Sequence, residues 1–296
     1  YLINLGGVTF VPDSFNSPAQ VMNTNAIALI HILEAIREYV PQCRIFSAGS
    51  STQSDIKSIY AVSKIAAGAI CKVYRERYGL YVVHGILWNH CSPRQSDLFL
   101  PRKLAKGVAR IKRSIQDGKE FEPIELGNLD AQIDVSWALD FVDGIWKMLN
   151  QDKIKHQDGT RTLVETYRNN DYSYIKEYIL ASGEANIIRT FVEKSFAMAG
   201  VKIAQPIYLD PTRGRGTIHE TYHLLNQNLD GSLWLGDSSP VVVRVNPAFY
   251  RPADAQTLQG DSSAARRELG WSPKVSFDQL VERMMKAELK AVGLES

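Results

Sequence analysis

Cysteine is scarce in this chain. Cys43, Cys71 and Cys91 are the three it has in 296 residues, scattered and odd in number. That argues against a disulfide framework and predicts an intracellular, reducing compartment. An excess of one charge is missing too: 34 Lys and Arg against 32 Asp and Glu leave +2. Nucleic-acid binding needs a concentrated basic face, so no nucleic-acid partner is expected. No apolar run approaches the roughly 18 residues that cross a bilayer, and no signal peptide is visible. Repeats and low-complexity tracts are absent. So is any glycine-rich turn between a strand and a helix that could cradle a dinucleotide; Gly214-Arg215-Gly216 follows no predicted strand. The chain opens on Tyr1 rather than methionine, which reads as a processed, truncated or incompletely given protein. What is present is ordinary globular material, 45% hydrophobic and 22% charged, enough for one or two domains with a substantial core.

The first third alternates cleanly. Leu2–Gly7, Arg44–Gly49 and Tyr81–Leu87 read as buried strands ending in small residues. Between them, Ala19–Val40 and Ser58–Tyr78 carry apolar residues at helical spacing, the first stopping before Pro41 and the second at Gly79. This order predicts an α/β fold with a parallel sheet. Beyond Asn89, helices are predicted over Leu100–Ser114, Trp137–Asn150, Ile187–Ala199 and Ser276–Val292, with a strand at Tyr178–Ala181. Gln205–Ser239 is polar and glycine-rich and reads as irregular. Val241–Val245 alternates and runs toward Pro247, as an edge strand would.

Tyr60 and Lys64 lie four residues apart near the start of a helix and so share one face. The strand ending at Ala48 delivers Ser50 and Ser51 just before them. An ammonium beside a phenol can bring it toward neutrality, the phenol can exchange a proton with a substrate hydroxyl, and a serine can hold that oxygen. The spacing alone is weak evidence, since Tyr172 and Lys176 repeat it in a polar stretch. The order of strand, serine loop, Tyr-x-x-x-Lys helix and strand is what lifts Tyr60, Lys64 and Ser50 to candidate catalytic residues.

These residues also carry a resemblance. Ser58-Ile59-Tyr60-Ala61-Val62-Ser63-Lys64 resembles the catalytic helix of extended short-chain dehydrogenases. Gly85-Ile86-Leu87-Trp88-Asn89-His90-Cys91-Ser92-Pro93-Arg94 resembles a segment of the GDP-mannose 4,6-dehydratase family. Further landmarks follow in family order: Arg102-Lys103, Leu126–Ala131, Ser182–Ala185, Arg189–Glu193, Tyr250–Asp254, Leu258–Asp261 and Leu269–Val275. The resemblance spans nearly the whole chain. It implies a Rossmann-like parallel sheet lacking its first strands, over 1–88 plus about 134–182. A smaller C-terminal lobe would bind nucleotide-sugar, over 89–133 and 183–296. It implies that Asn89 contacts the sugar-nucleotide, Arg251 holds the diphosphate, and Arg102 and Lys103 lie near the cofactor, which would be NADP. Each has a plainer reading: Asn89 as a strand-end residue in a turn, Arg251 as a surface arginine beside a proline.

The pattern also breaks. Where the family has a catalytic glutamate, Gly49-Ser50-Ser51-Thr52 ends in a threonine, and an unassisted hydroxyl is no general base. The loop from Ser51 to Tyr60 is short, and Ile133 stands where the family has an arginine. Residues 152–177 are an insertion bearing Lys153, Lys155, Arg161, Tyr167 and Arg168, either a solvated loop or a docking arm for another subunit. His219-Glu220-Thr221-Tyr222-His223 matches H-E-x-x-H. It lies outside any predicted helix and lacks a third ligand, so no metal site is expected. Two functions stay open: an NADP-dependent lyase converting GDP-mannose to its 4-keto-6-deoxy product, impaired or inactive, or a pseudoenzyme kept as a structural or nucleotide-binding subunit. The partners expected are a GDP-sugar and either a second copy or a hetero-assembly joined through 152–177.

Overall fold

A computed structural model describes residues 1–151, 175–204, 207–208, 220–227, 233–236, 238–249 and 259–294. They divide into two compact units. One comprises Tyr1–His90, Ala138–Gly183 and Gly260–Lys274, the other Cys91–Trp137, Glu184–Gln259 and Val275–Ser296.

The first unit is built on a four-stranded parallel sheet. Leu2–Asn4 pairs with Ile45–Ala48, which pairs with Val82–Leu87, which pairs with Ile179–Leu180. The α/β class with a parallel sheet is therefore as expected. Its strands are near-continuous apolar runs, as strands covered on both faces must be: Ile45, Phe46, Val82 and Val83 are fully buried. One side of the core gathers Leu29, Leu33, Ile36, Ala67, Cys71 and Tyr74; another gathers Phe46, Tyr81, Phe141, Met148, Leu180 and Trp271. The fully buried Leu, Ile, Phe and Met side chains among them each contribute about 1.5–3 kcal/mol by leaving water.

The helix that positions the candidate site spans Ile59–Tyr78. Ser58 starts it by accepting the Ala61 N–H on its hydroxyl at 3.2 Å. Gly79 ends it in the left-handed conformation, φ 61°, where a side chain would be strained. The run predicted over Ala19–Val40 is helical from Pro18 to Tyr39, but Asn23–Ile27 forms a π-turn between Pro18–Met22 and Ala28–Tyr39.

The second unit packs helices Leu100–Gln116, Ile188–Met198 and Phe277–Ala291 around Leu104, Val108, Phe191, Phe196, Met284 and Met285. Ser276 opens the last helix with a reciprocal cap, in which Ser276 and Gln279 each accept the other's backbone N–H.

Three expectations change. Val241–Val245 is not an edge strand: it pairs antiparallel with Glu220–His223 on one side and parallel with Ile124–Leu126 on the other. Pro247 falls beyond the strand, in the Pro247–Phe249 turn, so its missing N–H costs the ladder nothing. The stretch 205–239 is not irregular throughout, for Ile207–Tyr208, Glu220–His223, Asn226–Gln227 and Leu233–Trp234 are strands. Residues 260–274 belong to the first unit rather than to the C-terminal lobe. There Trp271 packs edge-on against Phe141 at 5.9 Å and donates its indole N–H to the Asp140 carbonyl at 2.7 Å. Of the insertion at 152–177, residues 152–174 lie outside the described residues. Lys176 is tied at its backbone to the Gln151 amide.

Candidate active site

The site is assembled where the parallel strands end, the edge at which open α/β sheets bind ligands. Ile45–Ala48 runs out into Gly49 and Ser50, and a short 3-10 turn, Ser51–Ser54, follows. Ser50 caps that turn. Its Oγ accepts the Thr52 N–H at 3.3 Å and the Thr52 hydroxyl at 3.0 Å, while its own N–H donates to Gln53 Oε1 at 2.8 Å.

Tyr60 and Lys64 enter from the helix beside this loop. Tyr60 is 7% exposed and Lys64 6%, and the ammonium lies 5.8 Å from the centre of the Tyr60 ring. Burial raises the Tyr60 phenol above its ordinary value, and a hydrogen bond from Ser50 pulls it partly back. Burial also brings Lys64 down to about 8, near the working range of a proton-transfer group. Lys64 Nζ donates to the Ala48 carbonyl at 2.9 Å, which ties the helix to the strand end. The structure thus brings Tyr60, Lys64 and Ser50 together. Burial dominates the shift of the phenol and Ser50 opposes it, while burial disfavours the charge on Lys64.

Asn25 belongs to the same region, and sequence reasoning missed it. It sits in the π-turn, 5% exposed. Its amide clasps both backbone groups of Val8 at 2.8 and 3.1 Å and donates to Ser63 Oγ at 3.0 Å. The available signal was a polar residue interrupting the buried face of a helix. Such π-turns are frequent at functional sites because they re-aim one side chain.

The remaining candidates are placed differently. Asn89 is exposed at the start of the Asn89–Cys91 strand. Arg102, in the second unit, donates to Glu288 at 3.1 Å and to the Gln95 carbonyl at 2.6 Å, so its guanidinium is already engaged. Lys103 Nζ lies 4.2 Å from the centre of the Phe249 ring. Arg251 lies outside the described residues. In the H-E-x-x-H run, His219 is also outside them, and Glu220–His223 is a strand rather than a helix. Glu220 is fully buried and bonded to Arg189, which also holds Asp130 at 2.8 Å, so that carboxylate is committed to structure. Ile133 packs against the core of the second unit.

The family model of GDP-mannose 4,6 dehydratase matches residues 1–173 and 169–284. The chain belongs to the GDP-mannose 4,6-dehydratase family. It is 30% identical to the GDP-mannose 4,6-dehydratase of Vibrio cholerae serotype O1, over 97% of this chain and 72% of that one. It is likewise 30% identical to the GDP-mannose 4,6 dehydratase of Drosophila melanogaster, over 98% and 66%. Solved structures share its fold. RMD from Pseudomonas aeruginosa complexed with NADPH superimposes with a TM-score of 0.68 at 18% identity, over 97% of this chain and 80% of that one. UDP-glucose 4-epimerase from Thermotoga maritima with UDP-glucose gives 0.65 at 14%, over 98% and 77%. Among the described residues of this family member, no helix is long and apolar enough to cross a membrane.

Proposed function

We propose that this dehydratase relative binds GDP-mannose and keeps the proton-transfer half of an alcohol oxidation at C4, but does not complete the elimination that makes a 4-keto-6-deoxy sugar. The observation that carries this reading is the Ser50 loop. Position 52, where family resemblance implies a catalytic glutamate, is a threonine whose hydroxyl is spent on Ser50 at 3.0 Å. The next carboxylate in sequence, Asp55, is paired with Lys57 at 2.6 Å. With neither group of this loop free to act as a base, the proton at C5 has nowhere to go within it.

A nicotinamide cofactor such as NADP, when bound, supplies the hydride acceptor. The residues here fit its redox end: a buried phenol, a hydroxyl that bonds it and a lysine near neutrality converge at the strand termini. They fit its phosphates less well, because Arg102 is engaged by Glu288. In the proposed step Tyr60 accepts the C4 hydroxyl proton as its phenolate, the form that the positive charge of a bound oxidised nicotinamide would favour against burial, while Ser50 steadies the same oxygen and Lys64 holds the helix to Ala48. A second reading, a nucleotide-sugar-binding subunit without turnover, draws support from the same threonine and the same engaged arginine.

The test is incubation of the full chain with GDP-mannose and NADP, following cofactor absorbance and the keto-deoxy sugar separately. We expect no keto-deoxy product, and a change in cofactor absorbance that Tyr60→Phe abolishes. Thr52→Glu is the gain-of-function arm. Product at an ordinary enzymatic rate of about 1 s⁻¹ or faster from the unmodified chain refutes the proposal. Binding of GDP-mannose by calorimetry with no absorbance change selects the subunit reading.

A further inference from the structure

Asn25 commits its whole amide to one loop and one helix. Its Oδ1 accepts the Val8 N–H at 2.8 Å, and its Nδ2 donates to the Val8 carbonyl at 3.1 Å and to Ser63 Oγ at 3.0 Å. The partners fix which end of the amide is which. The Val8 N–H needs an acceptor and the Val8 carbonyl a donor. The Ser63 oxygen accepts as well, because its own proton goes to the Tyr60 carbonyl at 2.7 Å. Asn25 is itself buried. It therefore pins the loop that follows the Leu2–Asn4 strand to the Ile59–Tyr78 helix, at the residue just before Lys64.

What the pinned loop lies against is the ammonium. A Cβ at Gly7, the residue before Val8, would stand 2.8 Å from Asn25 Oδ1 and 3.7 Å from Lys64 Nζ. Lys64 is buried, and among the described residues the hydrogen-bond acceptor of its ammonium is the Ala48 carbonyl. An ammonium carries three N–H donors. With water kept off and a single acceptor supplied, its charged form is disfavoured, in keeping with the fall to about 8 that burial causes.

The covering elements bring no charge. Gly6-Gly7-Val8 and Asn23-Thr24-Asn25-Ala26-Ile27 contain no ionisable side chain. The titratable groups that face Lys64 are Tyr60 on its own helix, with its ring centre 5.8 Å away, and His84 on the Val82–Leu87 strand. Burial raises the phenol and lowers His84 to about 4, so both are neutral where Lys64 titrates. The His84 ring is turned to the Ser50 loop, its Nε2 3.3 Å from Gln53 Oε1. Exclusion of water is thus what remains to set the ammonium. We infer that Asn25 is a positioning residue for the Tyr60–Lys64 site, holding the Gly6–Val8 loop against the Lys64 ammonium so that water is kept from it. This rests on the reading of Lys64 as part of a proton-transfer site, but its test needs neither substrate nor turnover.

The experiment is carbon NMR on the full chain with lysine labelled at Cε, the Lys64 signal being the one lost in Lys64→Met. Asn25→Ala removes all three bonds without changing the charge of the site. We expect it to move the Lys64 titration upward, toward the ordinary 10.5, by about one pH unit or more. Ile36→Val thins the core of the same unit away from the clasp and should leave the curve in place, which a general loosening would not. Equal curves for wild type and Asn25→Ala, or an Ile36→Val curve displaced as far, overturn the inference. So does a wild-type Lys64 that already titrates at 10.5. Should Asn25→Ala fail to fold, Ser63→Ala decides in its place by cutting the clasp from the helix side: an upward shift supports the inference and an unmoved Lys64 contradicts it. Failure of the oxidation reading would instead appear as inactivity with the Lys64 titration still responding to Asn25.

Discussion

The burial of Lys64 has a measurable thermodynamic consequence. In the unfolded chain its ammonium keeps its proton up to the ordinary 10.5, whereas in the folded protein burial lets it go near 8. Between those values the unfolded state binds more protons than the native one, so stability must rise with pH across that window. The penalty is fully present below about pH 8 and relieved by about pH 10.5. At about 1.4 kcal/mol for each pH unit of difference, it amounts to about 3 kcal/mol. Lys64→Met carries no such penalty while sharing every other titrating group. The assay is urea unfolding of both proteins from pH 7 to 10.5, followed by tryptophan fluorescence and circular dichroism, with coincident transitions as the check on cooperativity. We expect the stability of the native protein relative to Lys64→Met to climb by about 3 kcal/mol over that range. A flat difference would show that the Ala48 carbonyl and the site's polar groups solvate the ammonium as well as water does. A falling difference would mean that Lys64 is held charged by a negative partner, for which an ionised Tyr60 is the candidate among the described residues of this site. That outcome would reverse the electrostatic account of the pair.

Three further outcomes follow from single features. Arg189→Leu leaves Glu220 buried and unpaired and should cost about 3–5 kcal/mol in denaturant unfolding; a loss below about 1 kcal/mol would show that water reaches that carboxylate. Ser276→Ala removes the hydroxyl that caps the Phe277–Ala291 helix and should cost about 1 kcal/mol, read as a lower urea midpoint with an unchanged slope. The neutral, buried His84 should make the protein acid-sensitive. The unfolded imidazole takes up its proton near 6.5 and the folded one not until about 4, so stability falls as pH drops through that interval. His84→Gln should flatten that acid limb in thermal melts between pH 7 and 4.

Much of the site was legible because its signals are local. Four-residue spacing places Tyr60 and Lys64 on one helical face wherever the helix goes, and Ser58 and Gly79 bound that helix by short-range hydrogen bonding and backbone sterics. A strand ending in Ala48-Gly49-Ser50 just ahead of it, with another strand after, already implied a parallel sheet with a serine loop at its carboxyl edge. Tertiary structure decided what depends on partners far away in sequence. Arg102 reads as a free cation until Glu288, 186 residues on, takes its guanidinium. Trp271 reads as part of a C-terminal lobe until Asp140, 131 residues back, and its neighbour Phe141 receive it. Val241–Val245 reads as an edge until Ile124–Leu126 pairs its second side. Asn25 and His84 were invisible for the same reason. A lone polar residue in an apolar run has no partner within reach of its own helix or strand, and only packing shows which loop it serves.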